Sequence, residues 1–213
     1  MRLVRSRAAG LGLLLSVLLV PVGQAQELPK IAEFYFDEDV AAKPIQALPP
    51  AQEDLVEQLM RMREHGRKGV EASVQLAGIA YADGRAELAA KLYEEALANV
   101  SANSVQARGI RWNEGWDLYR HGDVAGALQQ WGQATVAARG NVDWAPPTLA
   151  LALWALQRRE EAVAWYAAAV RTEPQLWNDP ANFPQLLPQW SEADRARLAE
   201  VQQAWAAAPP AWP

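Results

Sequence analysis

The chain has 213 residues, a net charge of −5 and a hydrophobic half, enough for one domain with a sizeable core plus terminal extensions. Its acidic balance repels phosphate backbones and anionic lipid, which argues against nucleic acid and membrane-surface partners. Cysteine is absent, so stability rests on packing without disulfides, while ten tryptophans supply large amphipathic rings for core and contact surface alike.

Residues 1–25 do not read as part of the fold. MRLVRSR carries three arginines and no acid, residues 8–20 form the apolar run AAGLGLLLSVLLV, and Gly23 and Ala25 occupy −3 and −1 of a cut after Ala25. This is the layout of a secretory signal peptide. The run is shorter than the roughly 20 apolar residues of a membrane span, although an uncleaved anchor is the alternative. The lipoprotein route needs a Cys, and Arg5 and Arg7 are not adjacent, so a twin-arginine signal is unsupported. Cleavage takes the net charge from −5 to −8, and no further apolar span follows. The Ala- and Arg-rich usage with only four Lys suggests a bacterial source, so the expected address is periplasmic or secreted, without stable membrane insertion. Asn99-Val-Ser101 reads as a chance match to a glycosylation sequon.

Residues 26–50 contain four prolines and no helical period, which predicts an extended arm. IAEFYF within it suits a short strand or a strip docked on helices. QEDLVEQLMRMREHG then places apolar residues at 55, 56, 59, 60 and 62 on one helical face, with acids in the first turn and a stop at Gly66.

Three segments follow in register: residues 75–98, 113–136 and 148–171. Each opens with a small residue (Ala77, Gly115, Ala150) and has an aromatic four later (Tyr81, Tyr119, Trp154). A turn comes next, at Gly84, Gly122 or Gln157. A second helix then carries Ala89–Tyr93–Ala96, Ala127–Trp131–Ala134 or Ala162–Tyr166–Ala169. The offsets are 38 and 35 residues. Small residues let two helices approach closely, and an aromatic fills the space beside its alanine neighbours. One such hairpin cannot bury its own apolar faces, so neighbours must stack.

The pattern resembles the tetratricopeptide repeat (TPR), a helix–turn–helix unit of 34 residues, over about 72–174. The small residue, the turn glycine, the triplet and the closing Pro174 match. Ser73, Arg111 and Pro146 depart from the family's large residue, Ala80, Leu118 and Leu153 from its aromatic, and Gln157 from its glycine. The resemblance implies an all-α, TPR-like helical-hairpin solenoid of about three repeats over 51–174. Residues 175–190 read as a Pro- and Trp-rich connector, and 191–210 as a C-terminal capping helix with Ser191 and Asp194 as its start signal.

In this family the first helices line a concave groove. Carried onto this chain, groove positions fall on Trp112, Trp116, Tyr119 and Arg120 in the middle repeat, on Val74, Gly78 and Tyr81 in the first, and on Trp144, Leu151 and Trp154 in the third. The expected partner-binding residues are therefore Tyr81, Trp112, Trp116, Tyr119, Arg120 and Trp154, with Trp131 as a packing ring. Two alternatives are a groove occupied by the chain's own arm and ordinary core. Some members clamp a terminal carboxylate with Lys, Arg and Asn. Here Gln75, Asn113 and Thr148 hold the matching position and no Lys falls in the groove, which argues against that clamp.

Catalytic signals are missing from the sequence. His65 and His121 are far apart and sit at helix ends, where cations are favourable. No nucleophile elbow, phosphate loop or dinucleotide fingerprint occurs. Glu94–Glu95 and Glu160–Glu161 are neighbours on second helices rather than pairs facing across a cleft. The expected function is non-catalytic, without cofactor or metal: a scaffold that binds a protein or peptide segment in the cell envelope. A glycan-binding protein using the same rings, or an α-helical cell-wall enzyme, are the rivals.

Overall fold

The computed structural model describes residues 28–31 and 36–211; residues 1–25, expected to be a signal peptide, and most of IAEFYF lie outside the described residues. These are all-helical, with ten α-helices, one 3-10 turn and a single isolated bridge. In chain order the helices are α1 (Leu55–His65), α2 (Gly69–Ala82), α3 (Ala86–Ala98), α4 (Val105–Arg120), α5 (Val124–Ala137), α6 (Ala145–Ala155) and α7 (Arg159–Thr172). Short α8 (Pro174–Trp177) and α9 (Phe183–Leu186) flank the 3-10 turn at Pro180–Asn182, and α10 (Glu192–Ala207) closes the chain.

The helices pair as α2/α3, α4/α5 and α6/α7, with α4 packed against α2 and α3, and α5 against α6. The small–aromatic interlock works as the spacing predicts. Ala77, Ala89, Ala127, Trp131, Ala134, Ala150, Ala162 and Tyr166 are fully buried. Gly115 is where the approach is closest: a Cβ there would stand 2.2 Å from Trp131 Nε1.

All three turns share one geometry. Gly84 (φ 74), Gly122 (φ 93) and Gln157 (φ 62) are left-handed. At each, the following residue's N–H reaches back to the carbonyl five before it: Arg85 to Ala80, Asp123 to Leu118 and Arg158 to Leu153, at 2.8–2.9 Å. This helix-ending motif favours glycine because a side chain is strained at that φ, so Gln157 is strained where the other two are not.

At one end α1 packs on α2 through Leu59, which is fully buried. At the other, α10 packs on α6 and α7. The hydroxyl oxygen of Ser191 accepts from the Asp194 N–H at 3.1 Å, so the expected start signal is in place. Helix α6 is apolar all round because neighbours cover it on every side; Ala145 through Leu153 are all buried. The connector buries Trp177 and Phe183, each 6.4 Å from the Tyr166 ring, and the Tyr166 hydroxyl donates to the Trp177 carbonyl. It then extends beyond the last hairpin, setting Trp190 5.2 Å from Trp116.

Candidate functional site

The face made by the first helices α2, α4 and α6 is not open. Residues 37–48 lie across it, running from the third hairpin back to the first. The Asp37 N–H donates to the Asn141 carbonyl at 2.7 Å, and the Asp143 N–H donates to the Asp37 carbonyl at 3.0 Å. Asp39, buried, accepts from Arg108 Nη2 of α4 at 3.0 Å and from Trp144 Nε1 at 3.2 Å. Burial opposes the charge of Asp39, but these donors, the Ala41 N–H and the guanidinium hold its carboxyl below the ordinary range. Asn113 then grips the backbone from both sides: its Nδ2 donates to the Lys43 carbonyl at 2.9 Å and its Oδ1 accepts from the Ile45 N–H at 3.1 Å. Gln75 does the same one hairpin away. Its Oε1 accepts from the Ala47 and Leu48 N–H groups at 2.9 and 3.0 Å, and its Nε2 donates to the Leu48 carbonyl at 2.8 Å. Gly109 lets the strip settle: a Cβ there would meet the Ala41 carbonyl oxygen at 3.2 Å.

The six candidate contact residues separate into two groups. Trp112, Trp116 and Arg120 come together on a cleft of about 350 Å3, walled on one side by Lys43 and Pro44 of the arm and on the other by Leu186 and Trp190 of the connector. Trp116 is only 4 % exposed and is the hub of an aromatic cluster. Its ring lies 6.1 Å from Trp112, 5.9 Å from Tyr119, 5.0 Å from Trp131 and 5.2 Å from Trp190. The Arg120 guanidinium stands 5.4 Å over the Trp116 ring, with its side chain 60 % exposed. The indole N–H groups of Trp112 and Trp116 are buried and have no hydrogen-bond partner among the described residues. The Trp131 N–H donates to the Trp112 carbonyl at 3.2 Å.

The other three are engaged elsewhere. Tyr81 is buried between Tyr93 and His121, at 6.3 and 5.5 Å. Tyr119 is buried and its hydroxyl accepts from Arg197 Nη1 of α10 at 2.6 Å. Trp154 is half-buried; Arg159 stacks 3.6 Å over it and its N–H donates to Glu200 at 2.8 Å. Among the described residues, the expected open trough is thus covered over the first and middle hairpins by the arm and over the third by α10, while between them Arg120 is exposed, Trp112 half-buried and Trp116 buried beneath them at the cleft.

Two acids on α4 belong to no sequence motif. Glu114 is buried, and burial pushes its carboxyl up to about 7 against the pull of Arg111. Asp117 lines the cleft, is raised by burial and accepts from the Tyr93 hydroxyl at 2.6 Å. Their signal would have been an acid inside a tryptophan-rich helix, but its depth depends on what packs above it. Among the described residues no group of His, Asp and Glu is arranged to hold a metal ion, and no helix is long and apolar enough to cross a membrane.

The site therefore belongs to an all-helical stack of hairpins with an aromatic, cation-rimmed cleft between two chain extensions. Compared with known proteins, the chain matches no family model, no curated protein and no solved structure.

Proposed function

We propose that this chain is an exported, TPR-like scaffold of the bacterial cell envelope that binds a segment of a partner protein without catalysis. The observation that carries the reading is the cleft of Trp112, Trp116 and Trp190 under the Arg120 and Lys43 cations. The Arg120 and Lys43 cations at the cleft favour a ligand that brings carboxylate or carbonyl acceptors. Aromatic rings and an arginine around a partly desolvated pocket are the composition of binding hot spots. The export address rests on the charge and apolar pattern of residues 1–25.

Peptides selected from a displayed library against the full chain test the reading. Trp112→Ala and Arg120→Glu are expected to weaken the selected peptides at least tenfold with the circular-dichroism spectrum unchanged. Equal binding by both variants refutes the cleft as the site. Co-sedimentation with isolated peptidoglycan, lost in the same variants and without peptide binding, replaces the peptide reading with the glycan one. N-terminal sequencing of the exported protein tests the cut after Ala25.

A further inference from the structure

We propose that the strip formed by residues 37–48 is a resident stand-in for a second ligand: a foreign segment that turns after an acid for Arg108, as the strip does after Asp39, and takes the strip's place across α2 and α4. The inference goes beyond the aromatic cleft and does not depend on it.

The strip is held as a bound peptide would be. Asn113 and Gln75 recognise peptide groups, not side chains, so they accept other side chains on a backbone that follows the same path, turned at Asp39–Ala42 and bent at Ala47–Leu48. Only one side chain is read by charge, Asp39 on Arg108. The apolar anchors are small: Ala41 and Ala47 are buried, Ile45 and Leu48 only half so, and Val40 is 65 % exposed. A strip that buries so little apolar surface gains little from the hydrophobic effect.

The strip also underfills its seat. Beside it lies a cleft of about 550 Å3, lined by Val40 and Ile45 of the strip and by Val70, Val105 and Ile110 of the helices. A segment with an acid at the Asp39 place and a bulkier apolar side chain at the Val40 place has room to bury more surface than the arm does, with the same amide contacts. The arm's advantage is its tether. A short linker sets an effective concentration on the order of millimolar, which a freely diffusing segment must overcome.

The absence of cysteine makes a direct test possible. A Cβ at position 109 would stand 3.9 Å from the Ala41 Cβ, within the range a disulfide spans. The full chain carrying Ala41→Cys and Gly109→Cys is titrated, oxidised and reduced, with a fluorescent peptide of sequence FDEDVAAKPIQAL, residues 36–48. The reduced chain is expected to bind it and the oxidised chain to lose binding at least tenfold. In a second full-length variant, Asp39→Ala loosens the arm while the peptide keeps its own acid, so the peptide is expected to bind roughly tenfold or more tightly than to the wild type. Equal binding to oxidised and reduced chains, or no gain in Asp39→Ala, overturns the proposal. So does a concentration-dependent dimer of the wild-type chain that the peptide cannot dissociate, because the occupant is then a second copy's arm.

Discussion

Replacing Gly115 by alanine sets helix propensity against packing, and the two predict opposite signs. In a helix interior alanine is better than glycine by about 1 kcal/mol. Here the added methyl would lie 2.2 Å from Trp131 Nε1 and 2.6 Å from its Cδ1 and Cε2, more than an ångström inside ordinary contact. Trp131 has nowhere to go: it is fully buried, with Trp116 5.0 Å away on one side and Tyr119 6.0 Å away. Displacing it costs about 1–3 kcal/mol of overpacking and about 1 kcal/mol for the N–H bond to the Trp112 carbonyl. Against the propensity gain, the net loss is about 2 kcal/mol. For a chain of this size that lowers Tm by roughly 4–8 °C. Thermal melts by circular dichroism and urea titration at 25 °C read it. A variant as stable as the wild type, or more so, refutes the interlock between the first helix and the ring of the second. Pairing Gly115→Ala with Trp131→Phe, which removes the clashing nitrogen, is expected to show a coupling of about 1 kcal/mol or more.

Trp116→Ala and Trp131→Ala are each expected to cost about 3–5 kcal/mol, and half-buried Trp112→Ala clearly less; equal losses in all three by chemical denaturation would contradict the hub described for Trp116. Glu114 holds its proton up to about 7 in the folded chain against 4.5 ordinarily, so the folded state binds the extra proton in that window and stability falls as pH rises through it. Glu114→Gln should therefore raise stability at pH 8, by up to roughly 3 kcal/mol, change it little at pH 4.5 and flatten the slope between; a slope unchanged from wild type is the contrary result. Gln157→Gly relieves the left-handed strain at the third turn and is expected to stabilise by about 0.5–1 kcal/mol in urea unfolding, despite losing the Gln157–Arg159 hydrogen bond.

The hairpins were legible in the sequence because their signals are local. Ala–aromatic–Ala spacing, a small residue one helix earlier and a turn glycine are all contained within about 24 residues. Even the turn without glycine kept its place, since Gln157 adopts the φ its counterparts prefer. The site was less legible because it is made by what lies on top. Trp112 and Trp116 share a helical face, which predicts one environment for both, yet Trp190, 74 positions downstream of Trp116, packs against Trp116 and leaves Trp112 half-buried. No local rule set the path of the proline-rich connector. Gln75 and Asn113 hold matched positions, where the resemblance suggests a terminal carboxylate as the partner to test. Their actual partners are peptide groups of the same chain, which carry no sequence signature.

In a row of stacked units where each meets only its neighbours, an end unit can fray while the rest stands. The strip from Asp37 to Leu48 alters that arithmetic, because one stretch of backbone is bonded to Asn141, Asn113 and Gln75 together. Peeling away the outermost pair breaks hydrogen bonds that also brace the middle one. The two ends of the row therefore share a fate, and the assembly unravels as a single cooperative body while the tie is fastened.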